Sequence, residues 1–255
     1  MVTGVTLVTG TLSSSVIDLP FDLPADFTLT HDRLLVLALL AGAIVLTGER
    51  TTWRLLRFVV TIAHEGGHAV AAVLVRRELA GIRLHSDTSG VTLSRGRAEG
   101  PGMVFTAVSG YPAPSLIGIV FAGLVGLDHI RIMLWATIVL LLLLLTQIRN
   151  MFGVLTVVGS GAAAVAVIGW GTERVALGFA CAVAWLLLVG GLRAVIELQR
   201  SRRQQGSGRG GRRSHLSSDA DQLARLTPLP GLFWVTLFFL FSSAALLIGG
   251  WLMLR

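Results

Sequence analysis

The sequence predicts an all-α, polytopic membrane protein of about six to seven transmembrane helices with one small β-hairpin. Three observations carry this. Of 255 residues, 53% are hydrophobic and only 14% charged, and the mean hydropathy is +0.76, the balance of a membrane bundle and not of a soluble domain. The apolar residues are gathered into long runs separated by short charged turns. Period-two alternation, the mark of a strand, occurs in one place only. The net charge of +7 comes with no lysine at all. Its arginines sit in a few loops, where they set topology, and no nucleic-acid partner is expected. Cys181 is the only cysteine, which excludes an intrachain disulfide and a cysteine metal site.

Taken in order, residues 1–32 read as a surface-lying or loosely ordered tail. Pro20 and Pro24 break any helix there, and no cationic stretch marks a cleaved signal peptide. A membrane core follows over 33–199. Leu34 to Thr47 is the first span, closed by Glu49 and Arg50, and Trp53 to Val75 is the second. Residues 82–97 alternate (Ile82-Arg83-Leu84-His85, then Val91-Thr92-Leu93-Ser94) around Ser89-Gly90 and read as a β-hairpin just outside or dipping into the bilayer. The third run, Met103 to Val125, is interrupted by Ser109-Gly110-Tyr111-Pro112-Ala113-Pro114. That is either a proline kink or a helix opened beside a functional site. Runs at 132–148, 151–170 and 175–192 complete the core. Residues 200–215 form a basic, glycine-rich linker. The last segment, 216–255, holds a short amphipathic helix beginning near Ser217 to Asp221, a Thr227-Pro228-Leu229-Pro230 break and a final span from Leu232.

The chemistry is concentrated in His64-Glu65-Gly66-Gly67-His68, inside the second span. On a helix, residues four apart share a face, so both imidazoles project together, as two ligands of one tetrahedral Zn²⁺ must. Glu65 stands where its carboxylate can take a proton from a metal-activated water and later deliver it to a leaving amine. Ionisable groups at this depth cost about 2.5–3.5 kcal/mol each on insertion scales, so they pair, coordinate or do chemistry. A third ligand must be a histidine or a carboxylate. His85, Asp87, Asp128, His129 and Glu173 lie in turns where solvation is the default. Asp219 and Asp221 open an ordered segment leading into a membrane helix, and the residues alone do not separate the two.

The His-Glu-Gly-Gly-His helix, the hairpin after it and the Gly-Tyr-Pro helix resemble the site-2 protease class of intramembrane zinc metalloproteases, in particular its short, divergent bacterial branch. The resemblance covers roughly residues 53–240. In the broader family the third ligand is an aspartate in an Asn-x-x-Pro…Asp-Gly motif. Here Asn150-Met151-Phe152-Gly153 keeps the asparagine without the proline, and Ser218-Asp219-Ala220 looks like the Ser-Asp element of divergent relatives. The resemblance therefore implies His64, His68 and Asp219 as ligands of Zn²⁺, Glu65 as the catalytic base, and Asn150 and Tyr111 as substrate-binding residues.

The function expected is hydrolysis of peptide bonds in or near the membrane, with a membrane protein or peptide as substrate and the lipid bilayer as surroundings. The alternative is a metal-binding membrane scaffold or regulatory partner that does not cleave. The intact Glu65 speaks against it, because a structural metal site needs no free carboxylate beside its ligands. Seven alternating spans place the hairpin and the basic linker in the cytoplasm, and Arg50, Arg54 and Arg57 on the opposite side. His68 then lies about 13 Å from the cytoplasmic end of its helix. The protein is thus expected to be multi-pass in a bacterial cell membrane, with its site nearer the cytoplasm.

Overall fold

A computed structural model describes residues 30–206 and 218–255; most of the predicted tail and the 207–215 part of the linker lie outside the described residues. Among these there are nine helices and one two-stranded sheet. Helix α1 spans His31–Gly48, with the Thr30 hydroxyl accepting from the Arg33 amide at 3.3 Å. His31 and Asp32 are therefore its first turn and not part of a tail. Glu49 starts α2 (Arg50–Leu74) in the same way, accepting from the Thr52 amide at 2.7 Å. Acceptance from the Thr51 and Thr52 backbone amides holds the Glu49 carboxyl down to about 2.

After α2 the chain reverses through Arg76 in a left-handed conformation (φ 57°) and forms β1 (Glu78–Leu84) and β2 (Gly90–Arg95). The strands pair antiparallel, with Leu84 opposite Gly90 and Ile82 opposite Thr92. They fold back along α2, so that the Thr61 hydroxyl donates to the Thr88 carbonyl at 3.0 Å. The hairpin begins four residues earlier than predicted. Ile82 and Leu84 are fully buried, and pack with Ile62, Ala69 and Ile148. The outer edge of β1 is also occupied. Ile82 donates to the Gln147 carbonyl at 2.8 Å and accepts from Arg149 at 2.9 Å. The edge of β2 has no strand partner among the described residues.

The interrupted third run is two helices, α3 (Pro101–Val108) and α4 (Pro112–Gly126), bent by 59°. They are followed by α5 (Ile130–Leu145), α6 (Met151–Trp170), α7 (Glu173–Gly206), α8 (Asp219–Leu226) and α9 (Gly231–Leu254). Four helices (α1, α6, α7, α9) are long and apolar enough to cross a membrane, and the bent α3–α4 pair makes a fifth. The two other expected spans are α5, apolar but only 16 residues, and α2, which carries three arginines and the His-Glu-His set. Helix α7 has 34 residues, about 51 Å against a hydrocarbon core of ~30 Å. Its C-terminal turns thus run on into what the sequence reads as the start of a flexible linker.

The core is built where α4 meets α7 and α9 at close range. A Cβ on Gly118 would stand 2.8 Å from Leu188 Cγ, and the Ser115 and Ser242 hydroxyls bond at 3.2 Å. Small residues let membrane helices approach this closely. Buried Trp185 donates its indole N–H to the Val36 carbonyl at 3.0 Å and ties α1 to α7.

One expectation is corrected. Arg50, Arg54 and Arg57 do not lie across the molecule from the basic end of α7. Arg57 pairs with Glu197 at 3.4 Å, Arg193 stacks over Trp53 at 4.8 Å, and the three arginines line one cavity with Arg193 and Arg200. Simple alternation of spans fails because α2 meets α7 near Arg193 and Glu197 with its N-terminal half and the α3–α4 junction with its C-terminal half.

Candidate metal centre and active site

Helix α2 brings His64 and His68 to one face, their ring nitrogens Nε2 3.1 Å apart. The Thr106 carbonyl lies 2.7 Å from His68 Nδ1. A carbonyl only accepts, so Nδ1 carries a proton and Nε2 is the ring nitrogen turned toward His64. Two glycines make room. At Gly67 a Cβ would meet Ala113 Cβ and stand 2.7 Å from the Ser109 carbonyl oxygen, so glycine permits α2 to pass against the α3–α4 break. At Gly110, inside that break, a Cβ would collide with the His68 ring and stand 2.7 Å from His64 Cε1. Of the two readings of the 109–114 interruption, the helix opened beside the site is the one observed. Its next residue, Tyr111, sets its ring edge-on to His64 at 4.7 Å and stacks on Phe238 at 5.2 Å.

The third group arrives from 151 residues away. Asp219 Oδ2 lies 3.1 Å from His68 Nε2 and 3.2 Å from His64 Nε2. Asp219 is the first residue of α8, whose apolar face buries Ala220 and Leu223 against α3, α7 and α9. Burial pushes the Asp219 carboxyl up, but His68 beside it and the hydrogen bonds from both imidazoles outweigh burial and hold it well below the usual carboxylate range.

The structure separates the two aspartates the sequence left open. Asp221 closes a capping box, accepting from the Ser218 hydroxyl at 2.6 Å and amide at 3.3 Å, and from Arg202 at 2.9 Å. It orients α8, and Asp219 faces the histidines. Among the described residues His64, His68 and Asp219 are the one group of three able to hold a metal ion. His85, Asp87, Asp128, His129 and Glu173 are not in it. The separations of 3.1–3.2 Å among His64 Nε2, His68 Nε2 and Asp219 Oδ2 fit the ~3.3 Å between ligands of a tetrahedral ion with bonds of about 2.0–2.1 Å.

Glu65 is 4% exposed and meets β2, where the Thr92 hydroxyl donates to Oε2 at 2.6 Å. Gly90 opposes the other oxygen; a Cβ there would stand 2.6 Å from Glu65 Oε1. Thr92, Gly90, Gly110 and Thr106 were not singled out from sequence. The signals were the 109–114 interruption, which contains Gly110, and the alternation that puts Gly90, Thr92 and Ser94 on one polar face of β2. Asn150 is in none of these contacts; its amide donates to the Leu84 carbonyl at 2.7 Å and accepts from the Leu84 amide at 3.1 Å, pinning β1 at the residue paired with Gly90. A cavity of about 720 Å³, lined by parts of α2 and α7 and by the hairpin tip, opens onto His64, Glu65 and Tyr111.

A helical membrane protein whose His-Glu-x-x-His helix is met by an aspartate from a distant short helix has the make-up of a site-2 type membrane protease. A model of the Peptidase M50B-like family matches residues 35–249, a stretch that contains every residue of the cluster. The chain belongs to that family, and with it to the intramembrane proteases. Neither the comparison with curated proteins nor that with solved structures gives a match.

Proposed function

We propose that the chain is a zinc-dependent endopeptidase that cuts peptide bonds in or next to the membrane, with His64, His68 and Asp219 holding Zn²⁺ and Glu65 as general base. The observation that carries this is the convergence of three donor atoms from two distant helices, with a buried carboxylate beside them that joins none of them. Bound there, the ion would supply Lewis-acid polarisation of the scissile carbonyl and a water nucleophilic at neutral pH. Thr106 fixes the ring and tautomer of His68. Thr92 fixes Glu65, which takes a proton from the attacking water as the C–O bond forms and hands it to the leaving nitrogen as the C–N bond breaks. The unpaired edge of β2 runs beside Glu65 and suits an extended substrate strand, because edge pairing holds a backbone in the form that cleavage needs. Tyr111, in the wall of the cavity at His64, borders the path by which that strand enters.

The test is the metal content of detergent-purified full-length protein, followed by cleavage of a membrane-peptide library. Wild type is expected to hold one zinc per chain, and His68→Ala and Asp219→Ala to hold none. Glu65→Gln should keep its zinc and lose about 10²–10⁴ in rate. Wild type without zinc under metal-replete conditions, or undiminished cleavage by Glu65→Gln, would overturn the assignment.

A further inference from the structure

We propose that the cavity in front of Glu65 takes the acidic flank of a peptide substrate, with carboxylates about three to six residues from the bond that is cut. This rests on the protease reading and names the substrate class it implies.

The sequence of α2 places Arg50, Arg54, Arg57, Thr61, His64 and His68 at steps of four and three, which is one continuous face of a helix. The first five line the same cavity. A row of guanidinium groups thus leads straight to the first histidine of the site. Arg193 and Arg200 of α7 face the row across the cavity, and the only carboxylates in the lining are Glu65 and Glu197. Glu197 is already taken up, at 3.4 Å from Arg57 and 3.3 Å from Arg193. Arg50, Arg54 and Arg200 have no carboxylate partner among the described residues, and all three are exposed. A cleft lined by unpaired charge of one sign draws counter-charge from whatever enters.

Spacing favours a peptide as that counter-charge. Arg57 and Arg50 precede His64 by seven and fourteen residues, about 10 and 21 Å along the helix. An extended chain covers those lengths in about three and six residues and repeats side chains on one face every ~6.7 Å, close to the ~6 Å between Arg50 and Arg54. A lipid headgroup presents one compact charge and has no reason to extend to Glu65. The hairpin tip, Thr88 to Gly90, lines the same cavity and continues directly into β2, the strand beside Glu65.

The experiment is fluorescence anisotropy of a labelled peptide carrying a glutamate run, and of its glutamine counterpart, with the full chain in uncharged detergent. The glutamate peptide is expected to bind about tenfold tighter, less so as salt is raised. That preference should vanish in Arg50→Gln/Arg54→Gln/Arg200→Gln and survive in Arg131→Gln/Arg174→Gln/Arg255→Gln, which removes the same charge elsewhere. Equal binding of the two peptides, or equal loss of preference in both triple variants, would overturn the proposal. So would peptides bound alike while phosphatidylglycerol vesicles bind through the same three arginines, since the cavity would then be a headgroup site. Cleavage is read separately. A protein that prefers the glutamate peptide and cuts neither keeps the acidic docking surface and overturns the protease reading instead.

Discussion

On the proposed zinc reading, replacing Gly110 by alanine should empty the site without touching a ligand. The added Cβ would fall on His68 Nε2, the donor atom itself, and within 2.7 Å of His64 Cε1. Ordinary carbon contacts need about 3.5–4.0 Å, so the two rings must retreat by roughly an ångström. His68 cannot do so freely, because Nδ1 is held 2.7 Å from the Thr106 carbonyl. The close approach of α2 at Gly67, 2.7 Å from Ser109 O for a Cβ there, also keeps the α3–α4 break from backing away. Zinc sites tolerate donor displacements of only about 0.2 Å. Gly110→Ala is therefore expected to lose stoichiometric zinc, with activity down by at least about 10²-fold. Gly123→Ala, where the new methyl would meet Leu252 Cδ1 at an ordinary 3.8 Å, should behave as wild type. Metal content and melting temperature of both variants in detergent decide the matter. A Gly110→Ala protein that is folded and holds one zinc per chain would refute the reasoning, and with it the placement of the break against the histidines.

Three further outcomes are expected. Thr92→Val keeps the shape of β2 but removes a 2.6 Å hydrogen bond to the Glu65 carboxylate, worth about 1.5–3 kcal/mol. Zinc content should be unchanged while kcat drops at least about tenfold, and rescue by Thr92→Ser would show that the hydroxyl positions the base. Asp221→Asn should weaken the seating of α8 by about 1–2 kcal/mol through the capping box and the Arg202 pair, lowering zinc affinity without abolishing it, unlike Asp219→Ala. Burial raises the Asp221 carboxyl, but the Ser218 hydroxyl and Arg202 outweigh it and hold it low. Its contribution is therefore full above the ordinary carboxylate range and is lost as pH falls below it. The melting-temperature gap between wild type and Asp221→Asn should accordingly hold at neutral pH and narrow as pH falls below the ordinary value of 3.8; a gap that does not narrow would mean the ion pair and cap do not act as described. Asn150→Ala removes both bonds to Leu84, at 2.7 and 3.1 Å, and should cost about 1–3 kcal/mol of stability. An unchanged melting temperature with a raised KM would show instead that Asn150 serves substrate.

Much of this protein is local in origin, and so it was legible in the chain. Apolar runs declare membrane helices because hydrocarbon leaves the backbone no partner but itself. The four-residue spacing of His64 and His68 is a property of one helix, as is the arginine row that precedes it. The alternation at 82–97 marks a hairpin because strands repeat every two residues. Tertiary structure alone decided the rest. Spacing does not separate Asp219 from Asp221, and only the resemblance of Ser218-Asp219-Ala220 favours the first; the direction in which α8 is buried is what turns Asp219 to the histidines and leaves Asp221 as the cap. Thr92 is one hydroxyl on a short strand until the hairpin folds back on α2 and meets Glu65. Asn150 is one asparagine before a helix until β1 comes within reach of its amide. The side on which Arg50, Arg54 and Arg57 lie depends on where α2 meets α7 and α4, which no count of spans contains. In each case the deciding contact joins residues far apart in sequence, and no periodicity along the chain records which surfaces pack together.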